Sequence, residues 1–296
     1  MFEEFEENDS CSDLEDQERL FIEKEIKKSK EYSEKDKTNE GQERIWNQLY
    51  EYADKIVENI KIDHISHNKN TKDIEEIIQE QRTIPSTSRT EEEIAGCYDL
   101  KVEELEELLE NKKVFDFGCG KSELSKEIKS KNINTDIISY DIEKEVLLED
   151  EAKKAVQGSG ESLPFYDESF DSILATYSLP YWASSEDMVE NNLKELLRIL
   201  KKDGTLCIAP ITDILNRPSL NNDPKLRNVL SIKEYHDGVI EILDKIQVKF
   251  IDLLKELKED DKYEIKLGKN YFYEMKYRNI DKINKREPSI AYIKKI

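Results

Sequence analysis

Cysteine and histidine are scarce in this sequence. Its 296 residues include four cysteines and three histidines. The cysteines stand far apart, with neither the Cys-x-x-Cys spacing of a metal site nor the density of a disulfide scaffold; they are Cys11, Cys97, Cys119 and Cys207. Two of the histidines, His64 and His67, form a pair without a third or fourth ligand at suitable spacing, so no metal site is expected.

Long apolar runs are also absent. No run approaches the roughly 18 apolar residues that a membrane-spanning helix needs. The first ten residues, MFEEFEENDS, are acidic where a secretory signal would be basic and then apolar. These features argue against export and membrane insertion, and we expect a reduced, cytoplasmic protein.

Positive charge is in deficit, and the deficit lies in one part of the chain. The formal net charge is -21, and residues 1–110 hold 33 Asp and Glu against 15 Lys and Arg, which leaves 34 against 31 for residues 111–296. Nucleic-acid binding draws its affinity from basic surfaces that neutralise phosphates. Nucleic acid is therefore not an expected partner.

The acidic part of the chain predicts a helix-rich extension, partly disordered, over residues 1–95. Apolar residues recur at helical spacing over residues 42–60, which predicts a helix that packs on the rest of the protein. Ser, Thr and Pro in residues 81–90 indicate a linker. We place a domain boundary near residue 95, with a second domain over residues 96–296.

Short apolar runs alternate with amphipathic stretches from residue 111 onward, as is typical of a doubly wound α/β sheet. The predicted strands cover residues 113–117, 136–140, 171–177, 204–210, 263–267 and 289–295. The predicted helices cover residues 121–131, 143–154, 185–201 and 231–258. Ligands of such sheets bind at the carboxyl ends of the strands.

Two strand ends carry the residues with the strongest functional pattern. The segment VFDFGCG ends a predicted strand at Asp116 and passes through Gly118 and Gly120 into a helix. Glycines at such a turn let the backbone approach a nucleotide-like ligand. Asp141 ends the next strand, where a carboxylate can accept hydrogen bonds from a ribose diol or can instead cap the following helix.

Four ordered motifs resemble class I S-adenosylmethionine-dependent methyltransferases, and in particular the type 11-like group. VFDFGCG is similar to their Asp-x-Gly-x-Gly motif, and Asp141 stands in their acidic position. GSGESLPFYDESFDSILATYSLPYW and ELLRILKKDGTLCIAP are similar to their later strands and helix. The resemblance implies a Rossmann-like doubly wound seven-stranded methyltransferase sheet, preceded here by the N-terminal helical extension.

The resemblance also implies S-adenosyl-L-methionine as cofactor and assigns residues to it. Those around its methionine part would be Asp116, Phe117, Gly118, Cys119 and Gly120. Asp141 and Ile142 would hold the ribose side, Ser159, Gly160 and Glu161 the adenine edge, and Tyr177 the neighbourhood of the reactive methyl. The chain departs from the family at Ser159, where many relatives have Asp, and at Ser122, where they have Gly.

Candidates for catalytic roles are Tyr177, Tyr181 and His236. His236 has an alternative interpretation as a surface helix residue, and Cys119 is interpreted as a buried filler rather than a nucleophile. SLPYW weakly resembles the polar-Pro-Pro-aromatic motif of adenine amino-group methyltransferases, but Leu179 replaces its first proline.

No motif identifies the methyl acceptor, for which a small molecule or a protein is expected; a lipid headgroup stays open. A second hypothesis is a non-catalytic adapter that binds a protein partner through the acidic extension. A third is a nicotinamide enzyme, which the missing third glycine disfavours. The sequence does not indicate an oligomeric state.

Overall fold

The computed structural model describes residues 31, 34–63, 89–142, 154–212, 233–269 and 288–296. The predicted helices over residues 42–60, 121–131, 185–201 and 231–258 are found with shifted ends, and the stretch from residue 91 forms two short helices. These elements are α1 (Asn39–Asp63), α2 (Glu91–Cys97), α3 (Val102–Leu109), α4 (Glu123–Ser130), α5 (Glu186–Ile199) and α6 (Lys233–Glu259).

Seven strands form one mixed sheet at the centre of the protein. Their bounds are β1 (Lys113–Phe117), β2 (Asp136–Asp141), β3 (Ala155–Gln157), β4 (Phe170–Thr176), β5 (Leu200–Ala209), β6 (Tyr263–Gly268) and β7 (Ile290–Lys295). The order across the sheet is β3-β2-β1-β4-β5-β7-β6. The first five strands are parallel, whereas β7 runs antiparallel to both β5 and β6. The predicted seven-stranded α/β fold is confirmed.

Helices cover the two faces of the sheet. Alternate residues of β1 belong to different cores, since Phe115 packs with side chains of α1, α5 and α6, while Val114 packs with those of α2, α3 and α4. Both residues are fully buried. This two-sided burial explains why the central strands are continuous apolar runs.

The helix α1 packs on the sheet domain through one apolar face. Ile45, Trp46, Leu49 and Ala53 lie in the same core as α6. The Gln42 side chain also accepts a hydrogen bond from the Leu267 N–H at 2.9 Å and donates one to its carbonyl at 3.0 Å. The extension thus contributes a helix to the core, and the predicted boundary near residue 95 falls inside α2.

Two further differences from the sequence expectations concern the strand β3 and the boundary between α5 and β5. The short strand β3 was not predicted, because three residues are too few to show a period. The helix α5 ends at Ile199 rather than at residue 201, and β5 begins directly at Leu200. Residues 143–153 of a predicted helix and residues 81–88 of the predicted linker lie outside the described residues.

Candidate cofactor-binding site

Two buried carboxylates mark the carboxyl ends of β1 and β2. Asp116 is 3% exposed and Asp141 is 7% exposed. They lie on adjacent parallel strands, since Asp116 is in register with Ser139, two residues before Asp141. The Gly120 N–H donates a hydrogen bond to Asp141 Oδ2 at 2.8 Å. Asp141 therefore holds the glycine loop through Oδ2.

The loop after β1 turns because Gly118 and Gly120 both adopt positive φ, at 74° and 58°. The N–H groups of Gly118 and Cys119 both donate to the Tyr140 carbonyl, at 2.7 and 3.2 Å. A Cβ at Gly118 would lie 2.5 Å from the Ser178 Cβ. The missing side chain of Gly118 therefore leaves room for Ser178.

The loop ends at Ser122, a buried residue that precedes α4. Ser122 has a φ of 58° and makes no capping hydrogen bond with its side chain. Its Oγ lies 3.6 Å from Cys119 Sγ. L-residues disfavour this left-handed conformation, whereas glycine adopts it readily. The Ser at position 122, where the family has Gly, therefore carries a conformational cost.

The carboxylates also set the electrostatics of the loop. Burial first, and the nearby Asp141 second, raise the pKa of Asp116 to about 7, while Arg89 acts in the opposite direction. Burial, Asp116 and Asp141 together raise the pKa of the Cys119 thiol well above its usual value. A protonated thiol is a poor nucleophile, which argues against a nucleophilic role for Cys119, although this residue is partly exposed and not the buried filler that was expected.

The segment after β3 forms the far side of the site. The Tyr140 hydroxyl donates to the Ser159 carbonyl at 2.8 Å, and Ser159 Oγ donates to Glu161 Oε2 at 3.3 Å. A Cβ at Gly160 would lie 2.5 Å from Phe117 Cζ. The Phe117 ring belongs to the core, so only its backbone is available to a ligand.

An exposed apolar side chain follows Asp141. Ile142 is 42% exposed, one of three large hydrophobic residues that are exposed in the described part of the chain. It adjoins the carboxylate predicted to bind ribose, and its carbonyl accepts a hydrogen bond from Gln157 Nε2 at 2.9 Å. An apolar surface in this position suits the planar base of a nucleoside.

Aromatic residues border the end of β4. Tyr177 has a φ of 52° and its N–H donates to the Ala209 carbonyl at 2.6 Å. The Tyr181 ring meets the Tyr177 ring edge-on, with centroids 5.2 Å apart. Beside them the Ser178 hydroxyl is buried, with no hydrogen-bond partner among the described residues. The structure thus brings Tyr177 and Tyr181 together near the glycine loop.

Arg89 completes this edge and was not predicted. Its guanidinium lies 4.2 Å from the centroid of the Tyr177 ring. Arg89 lies in the predicted linker over residues 81–90, where Ser, Thr and Pro are frequent. The Thr90-x-x-Glu93 spacing that follows it is a sequence signal for the start of a helix. His236 lies in α6, but its side chain is outside the described part of the structure.

Two features are absent from the described residues, namely a membrane-spanning helix and a metal-binding cluster. No described helix has the length and apolar character that crossing a membrane requires. No group of three or more described His, Cys, Asp or Glu side chains is arranged to hold a metal ion.

Comparison with known proteins points to one family. Residues 115–208 match the family model described as a methyltransferase domain. An uncharacterized protein of Methanocaldococcus jannaschii is 29% identical over 184 residues, which cover 58% of this chain and 83% of that protein.

Solved structures of S-adenosylmethionine-dependent methyltransferases are also similar to the chain. The enzyme from Methanosarcina mazei is 17% identical and covers 62% of this chain and 91% of its own, with a TM-score of 0.38. That from Archaeoglobus fulgidus is 17% identical and covers 68% of this chain and 97% of its own, also with a TM-score of 0.38.

The family match spans the segment from β1 to β5, which carries the glycine loop, both buried carboxylates and Tyr177. The strand order and the antiparallel β7 complete the architecture. Over residues 115–208 the chain is therefore similar to a methyltransferase domain, and this similarity implies S-adenosyl-L-methionine as the cofactor.

Proposed function

We propose that this protein transfers a methyl group from S-adenosylmethionine to a small-molecule or protein acceptor that binds beside Tyr177 and Tyr181. The observation that carries the proposal is the pair of buried carboxylates at the ends of β1 and β2, with the glycine loop held between them. Buried charge is costly unless it is paired, so such an arrangement suits a ligand that brings positive charge and hydrogen-bond donors.

The residues at the site fit this cofactor. Asp116 is a buried carboxylate that a cationic amino group would stabilise. Asp141 holds the glycine loop through Oδ2, which places its carboxylate at the end of β2, where we propose that the ribose binds. The exposed Ile142 provides an apolar surface for adenine, and the buried Ser178 hydroxyl supplies a hydrogen-bonding group beside the loop.

The cofactor supplies an electrophilic methyl group on a sulfonium whose thioether is a good leaving group. The protein then has mainly to align the two reactants, and alignment is the larger part of such catalysis. Tyr177 is fixed by its N–H bond to the Ala209 carbonyl, and Tyr181 packs against its ring. Together they form a rigid aromatic edge that can orient an acceptor and exclude water.

A proton must be removed only if the acceptor is protonated at the attacking atom. Tyr177 is the side chain that we propose to hold the acceptor, and Tyr181, which is 3% exposed, packs against the Tyr177 ring and supports it.

Calorimetry on the full chain tests the proposal. We expect S-adenosylmethionine and S-adenosylhomocysteine to bind, and radiolabelled methyl to appear on a component of a metabolite or lysate panel. An adapter that has lost its cofactor site would bind neither ligand, and this result would overturn the proposal. Binding without transfer to any component would overturn the catalytic part alone.

A further inference from the structure

The position of Arg89 is fixed by the start of α2. Thr90 is the N-cap of this helix; its Oγ1 accepts from the Glu93 N–H at 3.2 Å, and the Glu93 carboxylate accepts from the Thr90 N–H at 3.0 Å. This reciprocal capping box fixes the backbone where the chain enters the helix. Arg89 immediately precedes Thr90, so the position of the Arg89 backbone is fixed by the start of α2.

The helix α2 is in turn attached to the carboxyl end of the sheet. Tyr98, which follows α2, is 1% exposed. Its hydroxyl is 2.8 Å from Thr176 Oγ1 and donates to the Cys207 carbonyl at 3.1 Å. Ile94 and Ala95 pack in the core on that face of the sheet. Arg89 therefore occupies a constant position relative to the ends of β4 and β5.

The Arg89 guanidinium has an aromatic contact but no counter-ion. It stacks on the Tyr177 ring at 4.2 Å, and Tyr177 is itself fixed to β5 through the Ala209 carbonyl. In the part of the chain that the structure describes, no hydrogen bond or ion pair involves this guanidinium. Stacking leaves the planar N–H groups of an arginine free for a carboxylate.

The Asp116 carboxylate has the opposite charge to the Arg89 guanidinium, and it too lacks a counter-ion among the described residues. It is 3% exposed, and no described side chain forms a hydrogen bond or ion pair with it. Arg89 acts on Asp116 through space without pairing with it. One edge of the site thus presents a buried anion and a stacked cation, each without its own counter-ion among the described residues.

An α-amino acid carries the two opposite charges on one carbon, and the methionine end of the proposed cofactor is such a group. On the basis of the proposed function, we propose that Arg89 binds the α-carboxylate of this amino-acid end while Asp116 faces its ammonium group. The segment before the predicted boundary at residue 95 then completes the cofactor site, and the site selects nucleosides that carry an amino acid.

Two ligands that differ in one group test this assignment. S-adenosylhomocysteine carries the carboxylate and the ammonium group, and its decarboxylated analogue retains only the ammonium. In calorimetry on the full chain, we expect Arg89→Met to weaken S-adenosylhomocysteine by about 10-fold to 100-fold, the range for a charge-assisted bond pair. The affinity for the decarboxylated analogue should stay within about twofold.

Control variants separate the specific role from a general charge effect. Lys129→Met removes one exposed positive charge from α4 and should change neither affinity. Arg89→Lys restores a cation without the planar fork and should recover part of the lost affinity. Asp116→Asn should weaken both ligands, because both carry the ammonium group.

The outcomes distinguish the inference from the proposed function. If the wild-type chain binds neither ligand, the proposed function fails. If it binds both and Arg89→Met weakens them equally or not at all, the role of Arg89 is overturned while the proposed function stands. Selective loss of S-adenosylhomocysteine supports the inference.

Discussion

At the end of β2, Asp141 connects the glycine loop to the proposed ribose site. Asp141→Ala should weaken S-adenosylmethionine by about 1.5 to 3 kcal/mol, the loss expected for hydrogen bonds to a charged group. Asp136→Asn is the matched control, because Asp136 begins the same strand and pairs with Lys154 in an exposed position. Calorimetry on both variants measures the effect. An unchanged affinity in folded Asp141→Ala would exclude Asp141 from the site.

Asp116 makes cofactor binding depend on pH. Its pKa is raised to about 7, so it is largely protonated at pH 6 and ionised at pH 8. A ligand with an ammonium group favours the ionised carboxylate, and the affinity for S-adenosylhomocysteine should rise about tenfold between these pH values. Asp116→Asn should abolish this dependence. A flat titration in the wild type would contradict the assignment.

The raised pKa of Asp116 also affects the stability of the free protein. A rise in pH increases the affinity for the ligand but lowers the free energy of unfolding of the free protein. A carboxyl whose pKa is raised on folding binds a proton in the native state over a pH window where the unfolded chain has released it. For Asp116 this window extends from its ordinary value of 3.8 to about 7, and the free energy of unfolding falls as pH rises through it. Ligand binding relieves this destabilisation.

Ser122 holds a left-handed conformation that glycine adopts more readily. Ser122→Gly should raise the free energy of unfolding by about 0.5 to 1 kcal/mol, the relief of strain less the entropy that glycine loses. Ser130→Gly provides the control, since Ser130 is the exposed last residue of α4, in ordinary helical conformation. It should lower the stability instead. Urea unfolding of both variants measures the difference, and a loss in Ser122→Gly would contradict the strain argument.

Among the elements, α1 is the helix that attaches the acidic extension to the core. Leu49 is fully buried there against the face shared with α6. Leu49→Ala should cost about 2 to 5 kcal/mol, the range for a deleted core side chain. Glu51→Ala, at an exposed position of the same helix, should have little effect. Chemical denaturation compares them, and equal stabilities would show that α1 is not docked.

The sequence predicted these elements unequally. Strands β1, β2, β4, β6 and β7 were predicted to within one residue, because each contains a short apolar run. Strand β3 was not predicted, because its three residues form a strand only through pairing with β2. No local sequence pattern indicates such a pairing. The left-handed backbone of Tyr177 is likewise imposed by its bond to Ala209, across the sheet.

The candidate site was predictable where motifs carried it. The glycine loop, Asp116 and Asp141 lie where the strand-end pattern placed them. Arg89 was missed because its role depends on its contact with the Tyr177 ring and on its charge acting on Asp116, and both residues are distant in sequence. Only the structure reveals that Ser178 occupies the space beside Gly118, because the two residues lie on different strand ends.

For the whole molecule, the shared core predicts a single cooperative unfolding transition. The chain has two tryptophans, and they report from different places: Trp46 from α1 and Trp182 from the segment after β4. In Trp182→Phe, the fluorescence of Trp46 should follow the same melting curve as far-ultraviolet circular dichroism. S-adenosylhomocysteine at about 100 times its dissociation constant should stabilise the protein by about 2.7 kcal/mol and shift both curves upward equally.

The extension would be an independent unit if the melting curve from Trp46 fluorescence differed from that of circular dichroism, or if the ligand did not shift it. Trp46→Phe in the otherwise unchanged chain is the complementary control, because Trp182 then reports on the sheet domain alone. Coincident curves in both variants would mean that the cofactor stabilises α1 through the common core.

The antiparallel strand β7 has a consequence for synthesis on the ribosome. It lies between β5 and β6, yet it is made after both of them. Until residues 290–295 emerge, the sheet ends at β5, whose backbone N–H and C=O groups face an empty position, and β6 has no partner. An open edge of this kind recruits strands from other chains. A nascent or prematurely terminated chain is therefore the species that aggregates, and chaperone demand should peak just before the last strand is translated.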